Sequence, residues 1–260
     1  MMRVWVRVAC LSFCLLGVAV PASAQVVHSL TIGAGIFWPR GADQRVEGDV
    51  LVANKTQPAI IAPGFNGETS SLEFEISDFR AYPIYGEWNI SFGHRIEVSV
   101  GVGYQNRSVD SRYRDIINTE APPGTDPEIR QELRLRMIPI SGTVKFLPFG
   151  QAGGFQPYVG GGISAVNFKY TETGDFVDPS TLEIFNDQFE ASGFAFGALI
   201  FGGLRMPLGG DVYALQVEGR YLFGSGDTSK VDPVTGQPEF LGDKIDLSGG
   251  SLNFGFLIRF

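Results

Sequence analysis

From Ile96 the chain alternates strictly by twos. Ile96, Val98, Val100, Val102 and Tyr104 are apolar, and Glu97, Ser99, Gly101, Gly103 and Gln105 stand between them. A period of two is the signature of a β-strand with one apolar face. The pattern returns at the C-terminus, where Leu252, Phe254, Phe256, Ile258 and Phe260 alternate with Ser251, Asn253 and Arg259. A chain built this way throughout must fold as a sheet whose apolar face meets something other than water.

Eight such segments are legible. The first runs from about Val27 to Trp38, and the second from about Leu72 to Ser91 with Ile84, Gly86, Trp88 and Ile90 on the apolar side. The third continues from Ile96 to about Arg107. The fourth, about Gln131 to Phe146, is interrupted by Pro139, which cannot donate to a ladder and predicts a bulge. The fifth, about Phe155 to Thr171, is blurred by Gly160-Gly161-Gly162. The sixth, about Asp187 to Met206, turns Phe194, Phe196, Ala198 and Ile200 one way and the small Gly193, Ala195 and Gly197 the other. The seventh and eighth run from about Val212 to Phe223 and Lys244 to Phe260. Short connections near Gly93, 147–154 and 207–210 alternate with long ones at about 40–71, 114–130, 172–186 and 225–243. Loop one also holds apolar pieces (Val50 to Val52, Ala59 to Ile61) that make ten strands an alternative to eight.

The N-terminus has the three parts of a secretory signal. Arg3 and Arg7 precede the apolar run Val8 to Val20, Pro21 ends it, and Ala22-Ser23-Ala24 is an A-x-A site. Cleavage after Ala24 makes residues 1–24 a signal peptide and 25–260 one mature domain. The run is shorter than the roughly 20 residues of a membrane-spanning helix. Both cysteines, Cys10 and Cys14, fall inside it, so the mature part has no disulfide framework and no thiol nucleophile.

Composition agrees with a wall rather than a soluble domain. Charged residues make up 18%, below the roughly one quarter of soluble domains, while glycine numbers 34 and phenylalanine 21. The net charge of −8 argues against nucleic acid, which selects basic faces. In hydrocarbon every backbone donor and acceptor must be paired within the protein, and strands achieve that only in a closed barrel. The expected fold is therefore an all-β, antiparallel up-and-down transmembrane barrel of eight strands with periplasmic termini, short periplasmic turns and long outside loops. Its aromatic girdle candidates are Trp38, Trp88, Tyr104, Phe168, Tyr170, Tyr213 and Tyr221. An eight-stranded interior is just wide enough for side chains to fill. Glu87, Glu97, Arg107, Lys145, Glu218, Arg220 and Arg259 are expected to face that interior and to pair, because an unpaired buried charge is costly.

On these features the sequence resembles the small outer-membrane β-barrel superfamily that includes the OmpA barrel, OmpX and OmpW. The likeness covers about residues 25–260. It is carried by the signal peptide, Pro139 to Phe146, Gln156 to Gly162, Glu218-Gly219-Arg220-Tyr221 and the terminal Leu257 to Phe260. The resemblance implies residence in the bacterial outer membrane, with its lipid and lipopolysaccharide as surroundings. It also implies that the barrel-assembly machinery reads Phe254, Phe256, Ile258 and Phe260. It points first to a non-enzymatic anchor for surface loops with a polar, side-chain-filled interior. The alternative is an OmpW-like narrow channel for small or hydrophobic solutes.

Enzymatic readings fare worse. The small barrels that modify lipid place a histidine near the outer rim, whereas His28 and His94 both fall at the periplasmic end of the predicted topology. Glu87, Glu97 and Glu218 as a two-carboxylate glycosidase site would need room for a sugar that eight strands do not leave. Asp175, Asp178, Asp227, Asp232 and Asp243 lack the spacing of a dedicated calcium loop. No catalytic residue, metal site or cofactor is expected.

Overall fold

The computed structural model describes residues 26–40, 72–74, 76–151, 154–177, 183–227 and 244–260. The signal segment with Ala22 and Ala24, the apolar pieces of loop one, and Asp178, Asp232 and Asp243 lie outside the described residues. The strands are β1 (Val26–Pro39), β2 (Leu72–Glu73), β3 (Ile84–Phe92), β4 (Ile96–Ile117), β5 (Glu128–Phe146), β6 (Gln156–Val177), β7 (Ile184–Pro207), β8 (Tyr213–Asp227), β9 (Lys244–Asp246) and β10 (Gly249–Arg259).

Eight of them close a ring. The order is β10-β1-β3-β4-β5-β6-β7-β8, and β8 pairs again with β10. Every pairing is antiparallel. The two shortest strands are accessories: β2 pairs with β4 and β9 with β8. The fold is thus an up-and-down barrel of eight staves. The first and last staves zip together, with Leu30 opposite Ile258 and Ile32 opposite Phe256.

The short connections at 93–95 and 208–212, and the one that leaves β5 at Leu147, share one end with Val26 and Phe260. Gly93, Gly150 and Gly209 hold φ of 66°, 74° and 63° there, a left-handed geometry that a residue with a Cβ rarely adopts. This is the turn end; the opposite, loop end carries the long connections. Phe260 N–H donates to His28 O at 2.9 Å, tying the two terminal strands at the turn end.

The outer surface carries an apolar band from the turn end upward. Ile32, Trp88, Val100, Ile140, Ile163, Phe196, Ile200 and Phe254 are all exposed on it. Above Tyr104 on β4 and Ile138 on β5 the same outward positions become polar: Ser108, Asp110 and Arg112, and Arg134, Glu132 and Arg130. The long middle strands therefore rise above the band by many residues. Trp38, Trp88, Tyr104 and Tyr213 stand exposed on the outer face as expected of girdle residues.

Three sequence-based expectations need correction. Phe168 and Tyr170 are not girdle residues; both are fully buried inside. On β6 the inward set is Tyr158, Gly160, Gly162, Ser164, Val166, Phe168 and Tyr170, a count that the triple glycine had hidden. The predicted second strand begins later, at Ile84. Before it the chain makes β2, a 3-10 turn (Ile76–Phe79) and an isolated bridge between Ala81 and Phe37. Pro83 has no N–H, but its carbonyl accepts from Gly35 N at 2.9 Å. Pro139 makes no bulge. The β4–β5 register runs unshifted from Val102 opposite Ile140 to Gln105 opposite Met137, and only the pairs between them lapse.

Inward glycines have a visible reason. A Cβ at Gly160 would stand 2.5 Å from Phe201 Cζ, and one at Gly226 only 2.4 Å from Phe168 Cε1. The rings of Phe201 and Phe168 occupy the space that side chains at Gly160 and Gly226 would need, and the narrow barrel is filled there by ring on glycine.

Candidate functional site

The feature with chemical character is inside the turn-end half of the barrel, where six ionisable side chains meet. Arg205 of β7 grips Glu97 of β4 with both terminal nitrogens, at 3.0 and 3.2 Å. Glu97 also lies 3.4 Å from Lys145 of β5, and Lys145 pairs with Glu87 of β3. Glu87 accepts from Arg220 of β8 at 3.1 Å, and Arg220 Nε donates to Glu218 at 2.9 Å. The resulting chain of charge runs Arg205–Glu97–Lys145–Glu87–Arg220–Glu218 across the lumen. It holds three carboxylates and three cations, so it is neutral as a whole. All but Arg220 are 2% exposed or less.

Neutral groups complete it. Tyr158 donates its hydroxyl to Glu218 at 2.9 Å, and Ser91 donates to Glu97 at 3.2 Å. Asn89 accepts from Lys145 and from Ser99, both at 2.8 Å, and donates to Thr31 at 3.1 Å. Lys145 and Arg205 also lie over the Tyr158 ring, 5.7 and 5.6 Å from its centroid, and Arg220 lies over Phe201 at 5.2 Å. A charge out of water is tolerable only when paired and hydrogen-bonded; each of the six has an oppositely charged partner, and Arg205 Nε alone among their polar atoms is buried without a hydrogen bond.

Of the seven residues assigned to an interior network from sequence, Glu87, Glu97, Lys145, Glu218 and Arg220 are joined in this way. Arg107 stands apart, exposed, with Nε donating to Asp78 O at 2.8 Å. Arg259 sits at the rim of the turn end, bonded to Gln156 Oε1 at 2.9 Å and Asp211 O at 3.0 Å. Arg205 and Tyr158 were missed. Counting by twos from Ala195 through Leu199 and Phe201 reaches Arg205 on the inward side. The terminal residues Phe254 and Phe260 are exposed on the outer face, as are, more partially, Phe256 and Ile258.

Above the charges the interior changes character. Leu133, Leu135, Met137, Val166, Phe168, Tyr170, Leu199, Leu222, Ile245 and Leu247 form a continuous apolar cluster. The interior is thus charged in its turn-end half and apolar above it. Gly193, Ala195 and Gly197 do not line a gap, since Phe168 covers Gly193 and Gly226. Between the two halves lies a cavity of about 90 Å³, bounded by Glu87 and Arg220 below and by Phe37, Met137, Leu199 and Leu222 above. That is room for a few waters, against the roughly 300–1,000 Å³ of a small-molecule pocket.

Higher still, beyond the apolar band, Glu172 stands opposite Leu133 of β5 and Phe189 of β7 and accepts from the Tyr170 hydroxyl at 2.6 Å. Burial pushes its carboxyl up to about 7, and the Tyr170 hydrogen bond offsets only part of that. His28 packs between Trp88 and Phe260, and His94 sits in the β3–β4 turn, so both lie at the turn end. Among the described residues no three His, Cys, Asp or Glu side chains gather as metal ligands.

No family model matches the sequence, and no curated protein does. Among solved structures the chain is similar to the outer membrane protein OprG of Pseudomonas aeruginosa, at 13% identity and a TM-score of 0.49, covering 91% of this chain and 97% of that one. It is also similar to Neisserial surface protein A, at 10% identity and a TM-score of 0.43, over 91% and 99%. A third is Ail, the attachment invasion locus protein of Yersinia pestis, at 10% and 0.40, over 91% and 99%. The fold itself rests on the strand order and closure described above.

Proposed function

We propose that this chain is a non-enzymatic integral protein of the bacterial outer membrane, a closed barrel that anchors long loops at the cell surface. The observation that carries the reading is the ion-paired chain from Arg205 to Glu218, which crosses the lumen inside an apolar outer band. A barrel closed on all its strands is stable in hydrocarbon, and a neutral, hydrogen-bonded plug leaves no open water path through it. Residues 1–24 act as the export signal, cut after Ala24. The alternating Phe254, Phe256, Ile258 and Phe260 are what the barrel-assembly machinery reads. Lipid and lipopolysaccharide are the immediate partners.

The orientation follows from the loops: short turns toward the periplasm, long connections outside. The mature chain has no cysteine, so single cysteines report sidedness cleanly. On intact cells a membrane-impermeant maleimide should label Gly124→Cys in the β4–β5 connection and leave Gly209→Cys in a tight turn unlabelled. Labelling of the turn alone would reverse the orientation, and labelling of neither would remove the surface-anchor reading.

A second reading, a narrow path for small hydrophobic solutes, has one observation in its favour. The cavity above the charges reaches the wall at Gly103 and Pro139, where the β4–β5 ladder lapses. Uptake of an apolar fluorophore by proteoliposomes, abolished by Gly103→Leu, would support it; uptake no faster than in empty liposomes would dismiss it.

A further inference from the structure

Where the apolar band of β4 to β7 ends, the strand register sets cations side by side on the outer wall. The last wholly apolar row is Val102, Ile140, Ala165 and Phe196. Four residues further along β5, Arg136 stands between Asn106 of β4 and Lys169 of β6. Arg134 follows on the same face, between Ser108 and Thr171. Two residues of a strand span about 7 Å, so the two guanidiniums and the ammonium share one small patch.

The fold does not neutralise that patch. Like charges directly opposite on neighbouring strands are destabilising, and Arg136 is directly opposite Lys169. Lys169 has an acid, with Nζ 2.7 Å from Glu190. Higher on the wall Arg112 pairs with Glu128, and Arg130 with Asp126 and Glu128. Arg136 has neither an ion pair nor a hydrogen bond among the described residues, and its Nε is shut off from solvent unpartnered. Arg134 reaches only an uncharged neighbour, Asn106 Oδ1 at 3.0 Å. Asp110 and Glu132 stand opposite one another one row further from the band, and neither is ion-paired with Arg134 or Arg136. The net charge is −8, so the two arginines are not left bare for want of acids in the chain.

The position of the patch selects among anions. It lies on the flank of the barrel, and the same surface continues downward through Ile140, Ile163, Phe194 and Phe196, all exposed. A soluble polyanion would use the cations alone; an amphiphile with an anionic head uses both parts. A guanidinium is a planar fork of donors that matches phosphate oxygens two at a time. We propose that Arg134 and Arg136, with Lys169 beside them, hold a phosphate of a phosphorylated outer-leaflet lipid, lipid A, whose acyl chains lie on the exposed apolar residues below. The proposal rests on the outer-membrane reading with the long loops outside, and the two can fail separately.

The test uses refolded mature protein, shown to be a barrel by heat-modifiable migration and by insertion into liposomes. It is equilibrated in detergent with equal amounts of diphosphorylated lipid A and of the same lipid stripped of its phosphates. Native mass spectrometry then reads which lipid stays bound. The wild type should prefer the phosphorylated form by about tenfold or more, the usual worth of one charge-assisted hydrogen bond. Arg134→Gln/Arg136→Gln should bring the two lipids to equal retention, and Arg136→Lys alone should keep part of the preference. Arg130→Gln, whose side chain is already paired, should leave it unchanged. Equal retention of both lipids by a wild type that inserts would overturn the proposal, as would an undiminished preference in the double variant. Binding of soluble polyphosphate that disappears in the double variant while the lipid preference stays would assign the patch to a soluble polyanion instead. Failure to insert at all would remove the membrane reading beneath it.

Discussion

The two halves of the lumen solve the same packing problem with opposite chemistry. In the turn-end half, encircled by the apolar band, the interior is a neutral lattice of charges and hydrogen bonds. In the loop-end half, whose outer face is polar, the interior is Leu133, Met137, Phe168 and their neighbours. The arrangement inverts at the level of Glu87 and Leu199. On the proposed membrane reading the lower half is surrounded by lipid, where apolar burial gives little because hydrocarbon is already outside, and directional polar contacts are what hold the staves at one diameter. Where the surroundings are water, an ordinary apolar core holds the strands together. The barrel is in effect an inside-out protein below and a conventional β-protein above.

Removing one charge from the lower half should do the greatest damage. Lys145→Ala leaves Glu87 and Glu97 short of a partner, and breaking a buried pair costs about 3–5 kcal/mol. Urea unfolding followed by tryptophan fluorescence should show that loss; a shift of under about 1 kcal/mol would mean the charges are solvated. Next is Phe168→Ala. Emptying its place in the upper core costs about 3 kcal/mol, but the damage should stay local. Amide exchange should rise in the upper parts of β6 and β7 and remain slow around Glu97 and Lys145. Global loss of protection would erase the distinction between the halves.

Glu172 offers a smaller, pH-dependent effect on the upper half alone. Its carboxyl titrates near 7 when folded, against an ordinary 4.5, so the folded form holds a proton that the unfolded form releases. Stability of the loop end is therefore fully present below about pH 4.5 and declines as pH rises through about 7. Amide exchange of residues 170–177, corrected for intrinsic rate, should accelerate over that window in the wild type and not in Glu172→Gln. An identical slope in both would assign the effect elsewhere. Smallest of all is Arg107→Ala. Its exposed side chain belongs to neither half, so stability should change by no more than about 0.5 kcal/mol.

The alternation by twos shows which face a residue occupies, and on β3, β4 and β8 it placed Glu87, Glu97, Glu218 and Arg220 inside. It says nothing of height along the barrel. Arg107 has the inward parity of Glu97, but ten residues higher its side chain leaves for the surface and Asp78. The apolar upper core was illegible for the same reason: Leu133 and Leu135 read as another alternating wall, and only length beyond the band distinguishes them. Gly160-Gly161-Gly162 erased the phase of β6, which put Phe168 and Tyr170 on the wrong face.

On the reading proposed above, the charged lower half closes the barrel. Single-channel recording of the refolded mature protein in a planar bilayer tests it directly, with Glu87→Ala/Arg220→Ala beside the wild type. The wild type should be silent, and discrete steps should appear once those two side chains are removed. Reproducible steps from the wild type would contradict it, because a water path would then run past charges that are supposed to seal the lumen.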